Sequence, residues 1–191
     1  MDKAEPDNYG DNLPINLKKK FTDFTLRAAG EEFKVHKLIL CAQSEYFTQN
    51  IAILQHDPQT VEAMILFMYG FGYNSRDRAI SPMRFDAKLY SAAEFYGVPV
   101  LKQLAKANFA ARARIAWDAD DFLDVITEVY TSTVPTDRGL RNILVETAKK
   151  NICSLLLKDN FVSKLEECGS FSADILRLVV SGVLPSPCST W

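Results

Sequence analysis

Residues 22–47 read TDFTLRAAGEEFKVHKLILCAQSEYF, and the periods inside this stretch decide the fold. Thr22, Phe24 and Leu26 alternate with Asp23, Thr25 and Arg27, the spacing of a strand with one buried face. Gly30 lies in the short segment 28–32, where a tight turn needs a residue that tolerates positive φ. Phe33 and Val35 alternate with Lys34 and His36 to give the return strand. His36, Leu40, Ser44 and Phe47 then recur at helical spacing, with Ile39, Gln43 and Tyr46 beside them. The stretch is a hairpin that runs directly into a helix.

Working outward, residues 1–20 mix Asp, Asn, Pro, Gly and Lys without periodicity and are expected to form a mobile arm. Downstream, 51–54 is a short apolar run that suits a further strand. Asp57-Pro58 starts a helix, with the aspartate as N-cap, proline in the first helical position and Val61, Met64, Ile65 and Met68 as the buried stripe. After a polar connection over 74–83, Asp86 is expected to cap a helix whose core face carries Leu89, Ala92, Ala93 and Tyr96. Gly97 ends it and Pro99 begins the next, with Leu101, Leu104 and Phe109 inward.

From Asp118 the pattern becomes wholly helical. Asp118, Asp120, Asp121 and Asp124 crowd a helix start, ahead of a stripe of Phe122, Val125, Ile126 and Val129. Thr136-Asp137 opens a second helix with Leu140, Ile143, Leu144 and Ala148. Phe161, Leu165 and Cys168 mark a third, ended by Gly169, and Phe171, Ile175, Leu178 and Val179 a fourth. Residues 182–191 read as a Pro/Ser-rich tail.

The opening stretch resembles the BTB/POZ domain family, of the kind abundant in filamentous fungi. In that family an aspartate lies on the first strand, a phenylalanine-bearing return strand ends in His-Lys or His-Arg, and the next helix carries leucine, serine and an aromatic pair. Here these are Asp23, Phe33, Val35, His36, Lys37, Leu40, Ser44, Tyr46 and Phe47. The resemblance continues through DPQTVEAMILFMYGFGY (57–73) and LYSAAEFYGVPVLKQLA (89–105). It implies an α+β fold: a small sheet, made of the hairpin and a short strand, packed by a cluster of helices over 21–115. An all-helical extension over 118–181 is similar to the regions that follow many BTB domains, the BACK region among them.

The resemblance also assigns roles. In dimeric members the strand aspartate and the basic residue after the histidine line a charged pocket near the dimer interface, which makes Asp23 and Lys37 the candidate pocket. Lysine in place of arginine gives up the bidentate fork. The alternative is that each residue is solvated or locally hydrogen-bonded. His36, Leu40, Ser44, Tyr46 and Phe47 are structural, and His36 is expected to be a buried imidazole that bonds a backbone group at the strand–helix junction.

Two departures stand out. Only Thr48, Gln49 and Asn50 separate Phe47 from Ile51, where family members carry a longer segment near 48–51. The first helix must therefore be short or its connection strained. The hydrophobic-x-Glu contact that cullin-binding members carry there has no counterpart. In Tyr69-Gly70-Phe71-Gly72-Tyr73 one glycine is displaced and an acidic residue is missing relative to the family's Tyr-Thr-Gly-acidic-Tyr.

Composition narrows the function classes. The 191 residues are 48% hydrophobic, enough for a substantial core. A net charge of −2 offers no electrostatic footprint for nucleic acid. Lys18-Lys19-Lys20 reads as a solvated edge rather than half of an import signal. Cys41, Cys153, Cys168 and Cys188 show no paired spacing, and with only His36 and His56 available no zinc site is expected; the first three read as reduced core residues. Cys188 to Trp191 lacks the aliphatic centre of a prenylation box. No leader or membrane-spanning run is evident, so an intracellular protein, cytoplasmic and/or nuclear, is expected.

No phosphate loop, dinucleotide turn, G-x-S-x-G or H-E-x-x-H occurs, and neither an enzyme nor a cofactor is expected. The leading expectation is a non-enzymatic protein-interaction module that self-associates, as a homodimer, or scaffolds partners. A substrate adaptor for a cullin-type ubiquitin ligase and a transcription-associated scaffold acting through a partner are the alternatives.

Overall fold

Ala28 and Glu31 face each other across the hairpin, so its loop is the two residues Ala29 and Gly30. Both have positive φ, 45° and 90°, the geometry that matches the twist of two antiparallel strands. The computed structural model describes residues 21–49, 52–74 and 80–183. The expectations for 1–20, for the Pro/Ser tail beyond 183 and for the centre of the 74–83 connection lie outside the described residues.

Strand β1 (Phe24–Ala28) pairs antiparallel with β2 (Glu31–Val35) and buries Leu26 and Ala28 on one face. Strand β3 (Ile53–Leu54) joins the other edge of β1 in parallel, aligning Ile53 with Arg27 and Leu54 with Ala28, and gives the order β2-β1-β3. Helix α1 (Lys37–Cys41) is only five residues long and gives way to a 3-10 turn, Glu45–Gln49. The short connection to β3 thus resolves as a truncated helix.

Helix α2 (Pro58–Met68) starts as expected: Asp57 accepts the Thr60 N–H at 3.0 Å. Burial alone would raise the Asp57 carboxyl, but bonds from Thr60 and the nearby Lys88 hold it below its ordinary value. Its contribution to stability is therefore present above the unfolded pKa of about 4 and is lost as pH falls through the lower folded value. Asp57→Ala should cost about 1 kcal/mol at pH 7. Urea melts should show that deficit shrinking in acid.

Gly70 explains the displaced glycine. At φ 85° it ends α2, its N–H donating to the Phe67 carbonyl while Phe71 N–H donates to Leu66. Gly97 (φ 65°) closes helix α3 (Pro82–Phe95) in the same manner: Gly97 N–H reaches Glu94 and Val98 N–H reaches Ala93. The cap of α3 is a correction. Ser81 accepts the Arg84 N–H at 3.1 Å, whereas Asp86 lies inside the helix, wholly buried. Ser81-Pro82 is the same start signal as Asp57-Pro58, shifted upstream of the acid.

Helix α4 (Pro99–Ile115) runs back along α3, burying Leu101 and Phe109 but leaving Leu104 38% exposed. The remaining elements are α5 (Asp120–Ser132), α6 (Gly139–Lys150), α7 (Ile152–Leu155), α8 (Asp159–Glu167) and α9 (Gly169–Val183). They share one continuous apolar core with the sheet and α2–α4, in which Leu26, Phe47 and Tyr90 belong to the same cluster as Phe122, Leu144 and Phe171.

Polar contacts reinforce that seam. Tyr90 donates to Asp137 at 2.7 Å, Lys102 pairs with Asp137 at 2.9 Å, Ser91 donates to the Ser132 carbonyl and Arg84 pairs with Glu128. Among the cysteines expected in the core, Cys41 and Cys168 are half-buried, but Cys153 is exposed. Its position on α7 turns away from the stripe that Leu155 buries.

Candidate interaction surface

Helix α1 begins without a local cap, because His36 supplies no side-chain bond to its first turn. Asp23 fills the gap from outside: its carboxylate accepts the Lys37 backbone N–H at 2.8 Å. A free helical N–H is satisfied and α1 is pinned to the segment leading into β1. The two candidate pocket residues are thus brought together through a backbone donor, with Asp23 exposed and Lys37 half-buried.

His36, expected to be buried, is half-buried, and its ring meets a side chain, the Tyr69 hydroxyl. The Tyr69 hydroxyl lies 2.8 Å from both the His36 backbone nitrogen and Nδ1. The hydroxyl accepts the backbone N–H, and toward Nδ1 it donates to one ring tautomer and accepts from the other. Burial, partly offset by the bond from His36, raises the Tyr69 phenol.

The other tyrosine of the 69–73 run is equally structural. Tyr73 donates to Asp86 at 3.0 Å and accepts from Asn108 at 2.8 Å, while Arg112 meets the other Asp86 oxygen at 2.7 Å. Burial first, and then the Asp86 charge, pushes the Tyr73 phenol well above its ordinary value.

The rest of the motif builds the support. Leu40 and Phe47 are fully buried. Ser44 donates to the Tyr96 carbonyl at the end of α3. Phe47 stacks on Tyr96 with centroids 5.9 Å apart, and Tyr46 meets both rings edge-on.

What remains on the outside is apolar. Leu38, next to Lys37, is 79% exposed, and Phe21, two positions before Asp23, is 91% exposed. On the other side of Tyr69 an open cleft of about 580 Å³ is lined by Gln43, Phe67, Tyr69, Phe71 and Val100, the last also largely exposed. The surface around α1 therefore combines large exposed side chains with a carboxylate anchored on a backbone N–H. This arrangement suits burial against another protein. Among the described residues no group of three His, Cys, Asp or Glu is placed to hold a metal, and no helix is long and apolar enough to cross a membrane.

The comparisons agree with this geometry. The family model of the BTB/POZ domain matches residues 14–113. BTB/POZ and MATH domain-containing protein 4 of Arabidopsis thaliana is 22% identical over 179 residues, a match covering 83% of this chain and 37% of that protein. BTB/POZ and MATH domain-containing proteins 6 and 5 of the same plant are 20% and 23% identical, again over 83% of this chain and 42% of theirs. The chain spans about two fifths of the length of these curated relatives. The fungal likeness read from the sequence has no counterpart among them.

Proposed function

Because this chain belongs to the BTB/POZ domain family, a family of protein-interaction domains, we propose that it is a non-enzymatic module that self-associates or scaffolds partners through the face formed by the start of β1 and by α1. The observation that carries this reading is the exposure of Leu38 and Phe21 beside the Asp23–Lys37 contact. Burying such side chains supplies the driving force, and the charges of Asp23 and Lys37 bias its register. The structural role of Asp23 does not compete with this, since only one carboxylate oxygen is engaged by the Lys37 N–H.

Size-exclusion chromatography with light scattering tests it. The chain should run as a dimer at micromolar concentration, and Leu38→Glu should weaken that association at least tenfold. The same variant should melt within about 0.5 kcal/mol of the parent, because the site is on the surface. A parent that stays monomeric at high micromolar concentration and captures no partner would sink the proposal.

A substrate adaptor for a cullin-type ubiquitin ligase is the second reading. The likeness to BTB/MATH proteins and the open cleft beside Tyr69 favour it, while the truncated α1 region offers no residue for the hydrophobic-x-Glu contact. Co-elution with a cullin N-terminal domain would establish it. A transcription-associated scaffold acting through a partner would follow from the same self-associating face.

A further inference from the structure

The outer face of α6 is a polar ridge on which Arg138, Asn142, Glu146 and Lys150 follow one another at four-residue spacing. A cleft lies on each side of it. Toward α9 the charges are matched: the Asp174 carboxylate takes Arg138 at 2.7 Å and Arg177 at 3.2 Å. Toward α4 they are not. That cleft, about 300 Å³, is lined by Arg114, Trp117, Ile143, Glu146, Lys150 and Asn151, one carboxylate against two cations.

Arg114 and Lys150 come from the last turns of two different helices, so both offset a helix dipole locally. Yet no carboxylate of the described residues lies within ion-pair distance of either. The Trp117 indole N–H likewise has no acceptor among the described residues, and the Asn151 amide has already donated to the Thr147 carbonyl at 2.9 Å. The cleft thus offers cationic and neutral donors above an apolar floor of Ile143 and the half-buried Trp117.

We propose that the α4–α6 cleft binds an acidic peptide segment of a partner protein. One carboxylate side chain meets Arg114 and Lys150, and an adjoining apolar side chain lies on Trp117 and Ile143. Charge complementarity selects the occupant. A polyanion such as nucleic acid would need many more cations than these two and would meet a chain of net charge −2. The surface is separate from the α1 face, so its partner need not displace a second copy.

The test is fluorescence anisotropy of a fluorescein-labelled Glu-Leu-Glu-Phe-Glu-Leu peptide titrated with the full chain, against its Gln counterpart. Binding should require the glutamates and weaken with salt. Arg114→Ala with Lys150→Ala should lower affinity at least tenfold, Lys34→Ala on β2 less than twofold, and Leu38→Glu should leave it unchanged. Both cleft side chains are exposed, so circular dichroism of the double variant should match the parent. No binding at millimolar peptide, or equal binding by the double variant, would overturn the site. Much tighter retention of a phosphoserine version would overturn the carboxylate assignment.

Discussion

Arg112→Met should destabilise the chain by about 3–5 kcal/mol at pH 7, the loss expected when one partner of a buried ion pair is removed. Asp86 is fully buried within α3, and its charge is compensated by Arg112 at 2.7 Å and by the Tyr73 hydroxyl at 3.0 Å. Methionine fills part of the volume but leaves a carboxylate facing a single neutral donor. The pH dependence identifies the cause. Burial already holds the Asp86 carboxyl above its ordinary value despite Arg112. An acid whose folded pKa is raised binds more protons folded than unfolded, so its effect on stability worsens as pH rises from about 4 toward that folded value. Without Arg112 the folded value climbs further. The deficit of the variant should therefore be smaller at pH 5 than at pH 7, and adding Asp86→Asn should recover part of it. Urea unfolding of the parent and both variants at the two pH values measures this; a deficit independent of pH would mean that lost packing, not the stranded charge, dominates.

Gly139→Ala is expected to cost about 2–5 kcal/mol, combining overpacking with a broken buried hydrogen bond. A β-carbon at 139 would stand 2.0 Å from the Tyr90 hydroxyl and 3.1 Å from Asp137 Oδ1. Tyr90 cannot swing aside, because its ring is 98% buried between α3 and α6 with the Lys102 ammonium 4.8 Å above it. The same Asp137 oxygen accepts the Gly139 N–H at 2.9 Å and the Tyr90 hydroxyl at 2.7 Å, so the backbone must approach closely. Burial and the neighbouring Asp137 push the Tyr90 phenol up to about 12. Tyr90→Phe removes the most crowded atom, and the double variant should therefore lose less than the sum of the two single losses. Strict additivity would show that the two positions do not collide.

The elements with short-range signals were legible. The alternation through 22–35 placed the hairpin, and the Asp57-Pro58 and Gly97-Pro99 punctuation placed helix ends, because each feature is decided within a few residues. The features that failed are decided far along the chain. Asp86 looked like a cap because an acid near a helix start has that meaning locally; its partner Arg112 lies 26 positions on. The contact of His36 with Tyr69, 33 positions away, likewise leaves no local sign in the sequence. Of the candidate surface, the family resemblance points to Asp23 and Lys37 but not to how they meet. The backbone donor that joins them, and the exposure of Leu38 between half-buried neighbours, depend on where a five-residue helix stops turning, which no periodicity resolves.

The BTB/POZ family model ends at residue 113, whereas Lys102 and Tyr90 within it complete their bonding on Asp137. The apolar core runs across that boundary, so the chain is expected to unfold as one unit. Heating should produce one calorimetric peak in which the sheet and α5–α6 are lost together, and cleavage between α4 and α5 should free a sticky remnant with Tyr90 and Leu89 newly wetted. Any partner that grips the C-terminal helices would, through that common melting, also tighten the face at α1.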